Sequence, residues 1–327
     1  MKKGIVTIGF SSHRAEALPF IRREMERHQI IVLEEPSSPY FSAMLEGSLS
    51  IHEYLMEIDS GFPEFERLMC GLLRELHKKG HKIVQVEPYL EMLLKIHDLF
   101  AEGKTPEDIV KVSRLVEVYQ AEKHATRALI TYYTRSMATQ FNQVIQSVKD
   151  FAQADAKRLT LRAYLRAKAI SPMIQSDKDI YIESGYIHYP LYLCLRQELP
   201  PYQKIRVIFL LQPVVKRLKG RRRNMGPGDI LTLNYAFNSG IEEDLSNLLA
   251  ARSLIYIKLI QKEEMLPGIS DAPHSEDEVE INRLVDCLGF EDCRSIFERI
   301  RFENRKRSLH LVKAYVDEKG KAIGYGE

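Results

Sequence analysis

Two short β-branched runs joined by one helical period set the architecture of this chain. Ile5 to Ile8 reads as a buried strand closed by Gly9, and Ile30 to Leu33 as a second strand ending in Glu34, Glu35 and Pro36. Between them, from Arg14 to His28, Leu18, Ile21 and Met25 recur at helical spacing. Pro19 fits only near the first turn, because it has no N–H to donate. A β-α-β unit of this length makes its strands parallel, and the crossover right-handed, so both carboxyl ends open on one crevice. His13, in a loop with Ser11 and Ser12, therefore shares a mouth with the Glu34/Glu35 pair.

The same alternation continues. Phe65, Leu68, Met69, Leu72, Leu73 and Leu76 define an amphipathic helix with Gly80 as its C-cap, and Ser37 to Phe62 reads as a loop over the crevice with a helical patch around Ile51 to Ile58. Lys82 to Val86 is a third strand, and like the second it ends in Glu-Pro, at Glu87 and Pro88. Thr105-Pro106-Glu107-Asp108 is a helix start, and no glycine or proline follows until past Ser171, so the spacing predicts two or three long helices. Asp179 to Ser184 returns to strand, followed by Gly185-Tyr186-Ile187-His188 and a helix through Leu199; Ile205 to Leu211 is a further buried strand.

The expectation is an α/β fold: a mostly parallel sheet with flanking helices, a long helical excursion and an α-rich C-terminal region. The divisions are residues 1–104 with 172–212 as the α/β core, 105–171 as a helical insertion beside the crevice, and 213–327 as a C-terminal extension. In that extension Leu254 to Ile260 reads as helix, Ser275 and Glu278 as a capping box before Val279 to Leu288, and Leu309 to Val316 with Ala322 to Tyr325 as a terminal hairpin.

Charge and composition exclude several classes. The 47 Lys and Arg residues nearly balance the 45 Asp and Glu residues of this 327-residue chain, which argues against a nucleic-acid partner. No apolar run is long enough to span a membrane, and the apolar part of the N-terminal segment is too short for a signal peptide. Four cysteines without CxxC or zinc-ribbon spacing read as free thiols of a cytoplasmic protein.

Two strand-glycine-histidine-helix turns and carboxylates at two further strand ends form the chemically informative pattern. Ligands of open α/β sheets bind outside the carboxyl ends of the strands, so His13, His188, Glu34 or Glu35, and Glu87 are expected to converge. Two imidazoles and a carboxylate can hold a divalent metal with positions open for water, or serve without one as general base and orienting acid.

The order strand-Gly-His, helix, strand-Glu and a later Gly-x-x-His resembles the TraB, Tiki, ChaN and erythromycin esterase superfamily over Lys3 to Gln212. Gly185 to His188 matches its GxxH motif, and Gly9 to His13 is one residue longer than the other copy. The resemblance implies Glu34 as the family carboxylate over Glu35. RLTLRAYLRAKAI is similar to a helix of TraB relatives, with Arg162 at its arginine and Leu161 replacing its glutamate. Members include esterases, proposed metalloproteases and a haem-binding protein. The expectation is a hydrolase of a small-molecule or peptide substrate. In it His13, Glu34 and His188 activate water, with or without a divalent metal held by the same three, and Arg162, Glu87 and Glu35 contact substrate. The alternative is a small-ligand, haem-like binder using the same crevice.

Other features have plainer readings: Arg221 to Arg223 as a solvated loop, His77 and His81 as partners of helix carbonyls near Gly80, Cys287 and Cys293 as core, and Tyr132 and Tyr133 as packing.

Overall fold

Five strands lie parallel in one sheet, in the order β3-β2-β4-β1-β5. They are β1 (Val6–Ser11), β2 (Ile30–Leu33), β3 (Lys82–Gln85), β4 (Ile180–Gly185) and β5 (Ile205–Phe209). The computed structural model describes residues 4–57, 61–138, 140–174, 177–220 and 225–323. By internal contacts the chain divides into two units: Met1–Gln120, Leu159–Pro213 and Glu263–Pro273 in the first, and Ala121–Arg158, Val214–Lys262 and His274–Glu327 in the second.

The first unit holds the sheet. Val6 pairs with Ile180 and with Ile205, and Ile30 and Val32 pair with Ile180 and Ile182, so β4 is the central strand with β2 and β1 on either side. Val6, Ile8, Phe10, Ile30, Val32, Ile180 and Ile182 make one buried face, the alternation a pleated strand requires. Buried strands of a parallel sheet carry apolar residues on both faces, which is why these segments read as continuous β-branched runs. Helices α1 (Leu18–Met25), α2 (Phe41–Glu46), α3 (Ile51–Met56), α4 (Pro63–Lys78), α5 (Pro88–Ala101) and α6 (Pro106–Val110) follow in chain order. Next come α7 (Ser113–Ala138) and α8 (Phe141–Ile170), each running through both units, and then α9 (Pro190–Glu198).

The segment read as a covering loop contains α2 and α3, and the guanidinium of Arg74 on α4 holds it by donating to the Met44 and Leu49 carbonyls at 2.9 and 2.8 Å. At the end of α4, Gly80 takes φ +89° while its N–H donates to His77 and that of His81 to Leu76, closing the helix as expected. His81 Nδ1 meets the His28 carbonyl oxygen at 2.7 Å rather than a carbonyl of the helix it follows.

Gly9 does not end β1. The strand continues through Phe10 to Ser11, and a Cβ on Gly9 would stand 2.3 Å from Tyr181 Oη, so the glycine admits a tyrosine ring across the neighbouring strand. A close approach within a strand and a turn after it leave the same mark in a sequence.

The second unit is helical throughout its described residues: parts of α7 and α8, then α10 (Gln212–Arg217), α11 (Pro227–Ala236), α12 (Glu243–Leu259), α13 (Pro273–Asp286), α14 (Phe290–Ile300) and α15 (Arg305–Ile323). Its core gathers Val144, Ile145, Leu231, Leu254, Ile255, Ile296 and Phe297, with Tyr132 packed against it. Leu309 to Val316 of the expected terminal hairpin lie instead in α15: Leu309, Val312 and Val316 recur at helical spacing against this core, a period that outranks strand propensity, while Gly324 and Tyr325 lie outside the described residues. Helix α13 begins at Pro273, so Ser275 lies inside it and does not cap it. Arg221 to Arg223 lie outside the described residues. All four cysteines are free; Cys293 is buried, whereas Cys287 is exposed. Among the described residues no helix is long and apolar enough to cross a membrane.

Candidate active site at the carboxyl edge of the sheet

Every strand end read from the sequence delivers its polar residue to one edge, and the pleat sorts these residues onto two faces. On the face of Val32 and Ile182, two arginines of α8 reach Glu34 just past β2. Arg162 and Arg166 are one helical turn apart, flanked by the buried Ala163 and Ala167, so both guanidiniums leave the same side of α8.

Glu34 is held from several directions. Its Oε2 accepts from the Gly185 N–H at 2.6 Å, while its Oε1 lies 3.2 Å from Arg166 Nη1 and 3.6 Å from both Arg162 Nη2 and His188 Nε2. None of the three contacts to Oε1 makes a well-aligned hydrogen bond, so that buried oxygen has lone pairs to spare. Burial works against ionisation of Glu34, but His188, Arg166, Arg162 and His13 outweigh it and bring the carboxyl down to about 2. At neutral pH the guanidiniums carry that effect, since burial also pulls His188 down to about 3 and leaves it uncharged.

Arg166 is only 1% exposed. It donates to the Val86 carbonyl from Nε at 3.0 Å and to the Glu183 carbonyl from Nη2 at 2.8 Å, tying the ends of β3 and β4 together. Glu87, fully buried, sits 3.1 Å from Arg162 Nε; burial nonetheless pushes its carboxyl above the ordinary range. Arg162, expected to contact substrate, has the internal carboxyl partners Glu34 and Glu87.

The opposite face carries the second group. Glu183 follows Ile182 in β4 and therefore points the other way. Its Oε1 lies 3.9 Å from His13 Nε2, and the imidazole is 41% exposed while the carboxyl is 4% exposed. His13 stacks on Phe65 of α4, ring centroids 5.7 Å apart. Burial first, then Glu35 and Glu34, raise Glu183 to about 8. Glu35 is also raised by burial, and its Oε2 accepts from Gln85 Nε2 at 2.7 Å. Glu66 of α4 reaches about 7 through burial and the charges of Glu35 and Glu183. At neutrality Glu183 is mainly the carboxylic acid and Glu34 the carboxylate.

His188, Glu34, Glu87 and Arg162 thus come together on one face, and His13 and Glu35 on the other. His13 is still among the charges acting on both Glu34 and His188. As a metal set, His13, Glu34 and His188 do not fit: Glu34 already faces two guanidiniums, and the carboxylate beside His13 is Glu183. Among the described residues no three His, Cys, Asp or Glu side chains are grouped to hold a metal ion.

Arg166, Glu183 and Glu66 were not expected. Arg166 was legible as the second arginine of an i, i+4 pair on a helix face otherwise lined with alanine. Glu183 was legible as a carboxylate in a strand apolar on both faces. No local signal marks Glu66, a polar residue on an amphipathic helix.

A protein of Archaeoglobus fulgidus, described as an uncharacterized protein, is 32% identical over 291 residues, covering 89% of this chain and 97% of its own length. No family model matches the chain. No solved structure matches it either.

Proposed function

We propose a reaction for the family to which this chain belongs together with the Archaeoglobus fulgidus protein: hydrolysis of an acyl bond in a small-molecule or peptide substrate. The observation that carries it is the split between two carboxyls one strand apart, Glu34 near 2 and Glu183 near 8, beside a half-exposed imidazole. Environments that push two such groups apart supply one ionised and one protonated partner at the same pH.

In this reading His13, which solvent reaches, takes a proton from water as the oxygen attacks the acyl carbon. Glu183 gives its proton to the leaving group as the acyl bond breaks. The protonated His13 then returns a proton to Glu183 across the 3.9 Å between them, closing the cycle without net change. Glu34 orients His188, whose neutral ring is a hydrogen-bonding group for water or the acyl oxygen. Arg162, 21% exposed, is the cation available to an anionic substituent, with Glu87 behind it. No step passes through a metal.

The test is a panel of carboxylic esters, thioesters and peptide amides, each with and without an anionic substituent. Turnover that His13→Ala and Glu183→Gln each reduce by at least about a hundredfold, the usual share of general acid–base catalysis, supports the reading. Absence of turnover, together with a Soret band on reconstitution with haem, would replace the hydrolase by a ligand-binding protein.

A further inference from the structure

The second unit carries a separate cavity of about 320 Å³ between α7 and α8. The two helices are antiparallel there: Arg158 Nη1 reaches Glu122 Oε1 at 3.1 Å, and the rings of Tyr132 and Phe151 stack at 6.4 Å. On α7 the lining is His124, Arg127, Ala128 and Thr131. On α8 it is Asp150, Gln153, Ala154 and Lys157, so each helix offers one stripe at i, i+3, i+4 and i+7. Facing stripes with that spacing ordinarily mesh as apolar ridges. Here only the two alanines are apolar, and their small side chains leave the space between the helices open.

The charges in this space are unbalanced. The acids nearest in sequence, Glu122 and Asp155, are engaged by Arg158, and Lys149 is paired with Glu243. Among the described residues, by contrast, the side chains of His124, Arg127 and Lys157 have no hydrogen-bond or ion-pair partner. One oxygen of Asp150 accepts from Gln146 at 2.8 Å, which leaves the other available. Arg127 and Lys157 face each other across the cavity against a single acid, Asp150, and that excess of positive charge favours an anion between them.

We propose that this cavity binds a small phosphate monoester bearing a hydroxyl group. Arg127 supplies a planar fork that matches phosphate oxygens, and Lys157 and His124 supply further donors from the two sides. Gln153 offers neutral hydrogen bonds; the Thr131 hydroxyl donates to the Arg127 carbonyl at 2.9 Å and so offers only an acceptor, which with Asp150 receives the ligand's hydroxyl. The volume is at the lower end of small-molecule sites, which suits a metabolite and not a polymer.

The experiment is titration calorimetry of the full chain with inorganic phosphate and with glycerol 3-phosphate, using a single-stranded oligonucleotide as control. Both phosphates should bind and compete with each other. The Arg127→Ala/Lys157→Ala double variant should weaken each by about tenfold or more, while Arg127→Lys/Lys157→Arg, which keeps the charge, should retain phosphate binding. Asp150→Asn should weaken glycerol 3-phosphate while inorganic phosphate, relieved of a neighbouring negative charge, binds at least as tightly as before. The three lining positions altered are exposed, so helicity should be intact in every variant. Absence of phosphate binding, or binding the double variant leaves intact, overturns the site. Binding of the oligonucleotide alone overturns it in favour of a polyanion surface. An Asp150→Asn protein that binds both phosphates normally overturns the assignment to a hydroxyl-bearing ester.

Discussion

His13 Nε2 stands 3.9 Å from Glu183 Oε1, a half-exposed imidazole backed by a carboxyl that solvent scarcely reaches. The imidazole is open to solvent, and the buried carboxyl keeps its proton up to about pH 8. The first prediction concerns that proton. Glu183 rises from 4.5 to about 8 on folding, so between those values the native state binds more protons than the unfolded state. Stability gained from the neutral acid is complete below 4.5 and is lost as pH climbs through 8, with a limiting slope of about 1.4 kcal/mol per pH unit. Urea unfolding across this window should show stability falling with pH, and Glu183→Gln should flatten the fall. An unchanged slope in the variant would mean that Glu183 is ionised in the folded protein.

Glu34 has the opposite sign. Its folded value near 2 lies below the unfolded 4.5, so its contribution is present above 4.5 and disappears as pH falls through 2. Glu34→Gln should lose that acid-side dependence. It should also destabilise the protein by about 3 kcal/mol at neutral pH, because the buried Arg166 loses its nearer carboxylate and keeps only Glu87, 3.8 Å from its Nε. Chemical denaturation checks both, and a cost under about 1 kcal/mol would place the pair among surface-like ion pairs.

Gly9→Ala puts a methyl group where Tyr181 has its hydroxyl and ring edge, and should cost about 1–3 kcal/mol. Tyr181→Val should recover part of it, so the double variant is better than the sum of the single effects. Strict additivity in a double-mutant cycle would show that the ring is not what requires a glycine.

Arg162→Ala should raise KM for substrates with an anionic substituent while leaving kcat/KM of their neutral analogues within about threefold, a shift of roughly 0.7 kcal/mol. Steady-state kinetics on matched pairs decides this. Equal losses on both members would assign Arg162 to holding Glu34 and Glu87 in place.

Much of the fold was legible because strand and helix periods differ, and because the ends of β2, β3 and β4 are marked by glycine or proline. The parallel sheet and the helical character of residues 107–171 follow from those marks. The failures are of two kinds. Gly9 was taken for a strand end because a sequence does not say whether a glycine turns or makes room. Residues Leu309 to Val316 were taken for strand because propensity was weighed ahead of period. At the site, residues just beyond strand ends were findable and Arg166 could be read from its i, i+4 spacing to Arg162, whereas Glu66 depends on which helix face meets the sheet edge. That is tertiary information.

The strand order has a consequence for how the protein comes into being on the ribosome. When residues up to Gln85 have been made, only β2 and β3 are sheet neighbours; β1 has no partner until β4 appears after the two long helices. The segment that joins the halves is also the one bearing Glu183, Gly185 and His188. Nascent or truncated chains ending before residue 180 therefore lack both the acid and the second imidazole, and expose unpaired edges that favour self-association. The residues gathered at this edge can therefore meet only after the strand that joins the two halves of the sheet has been made.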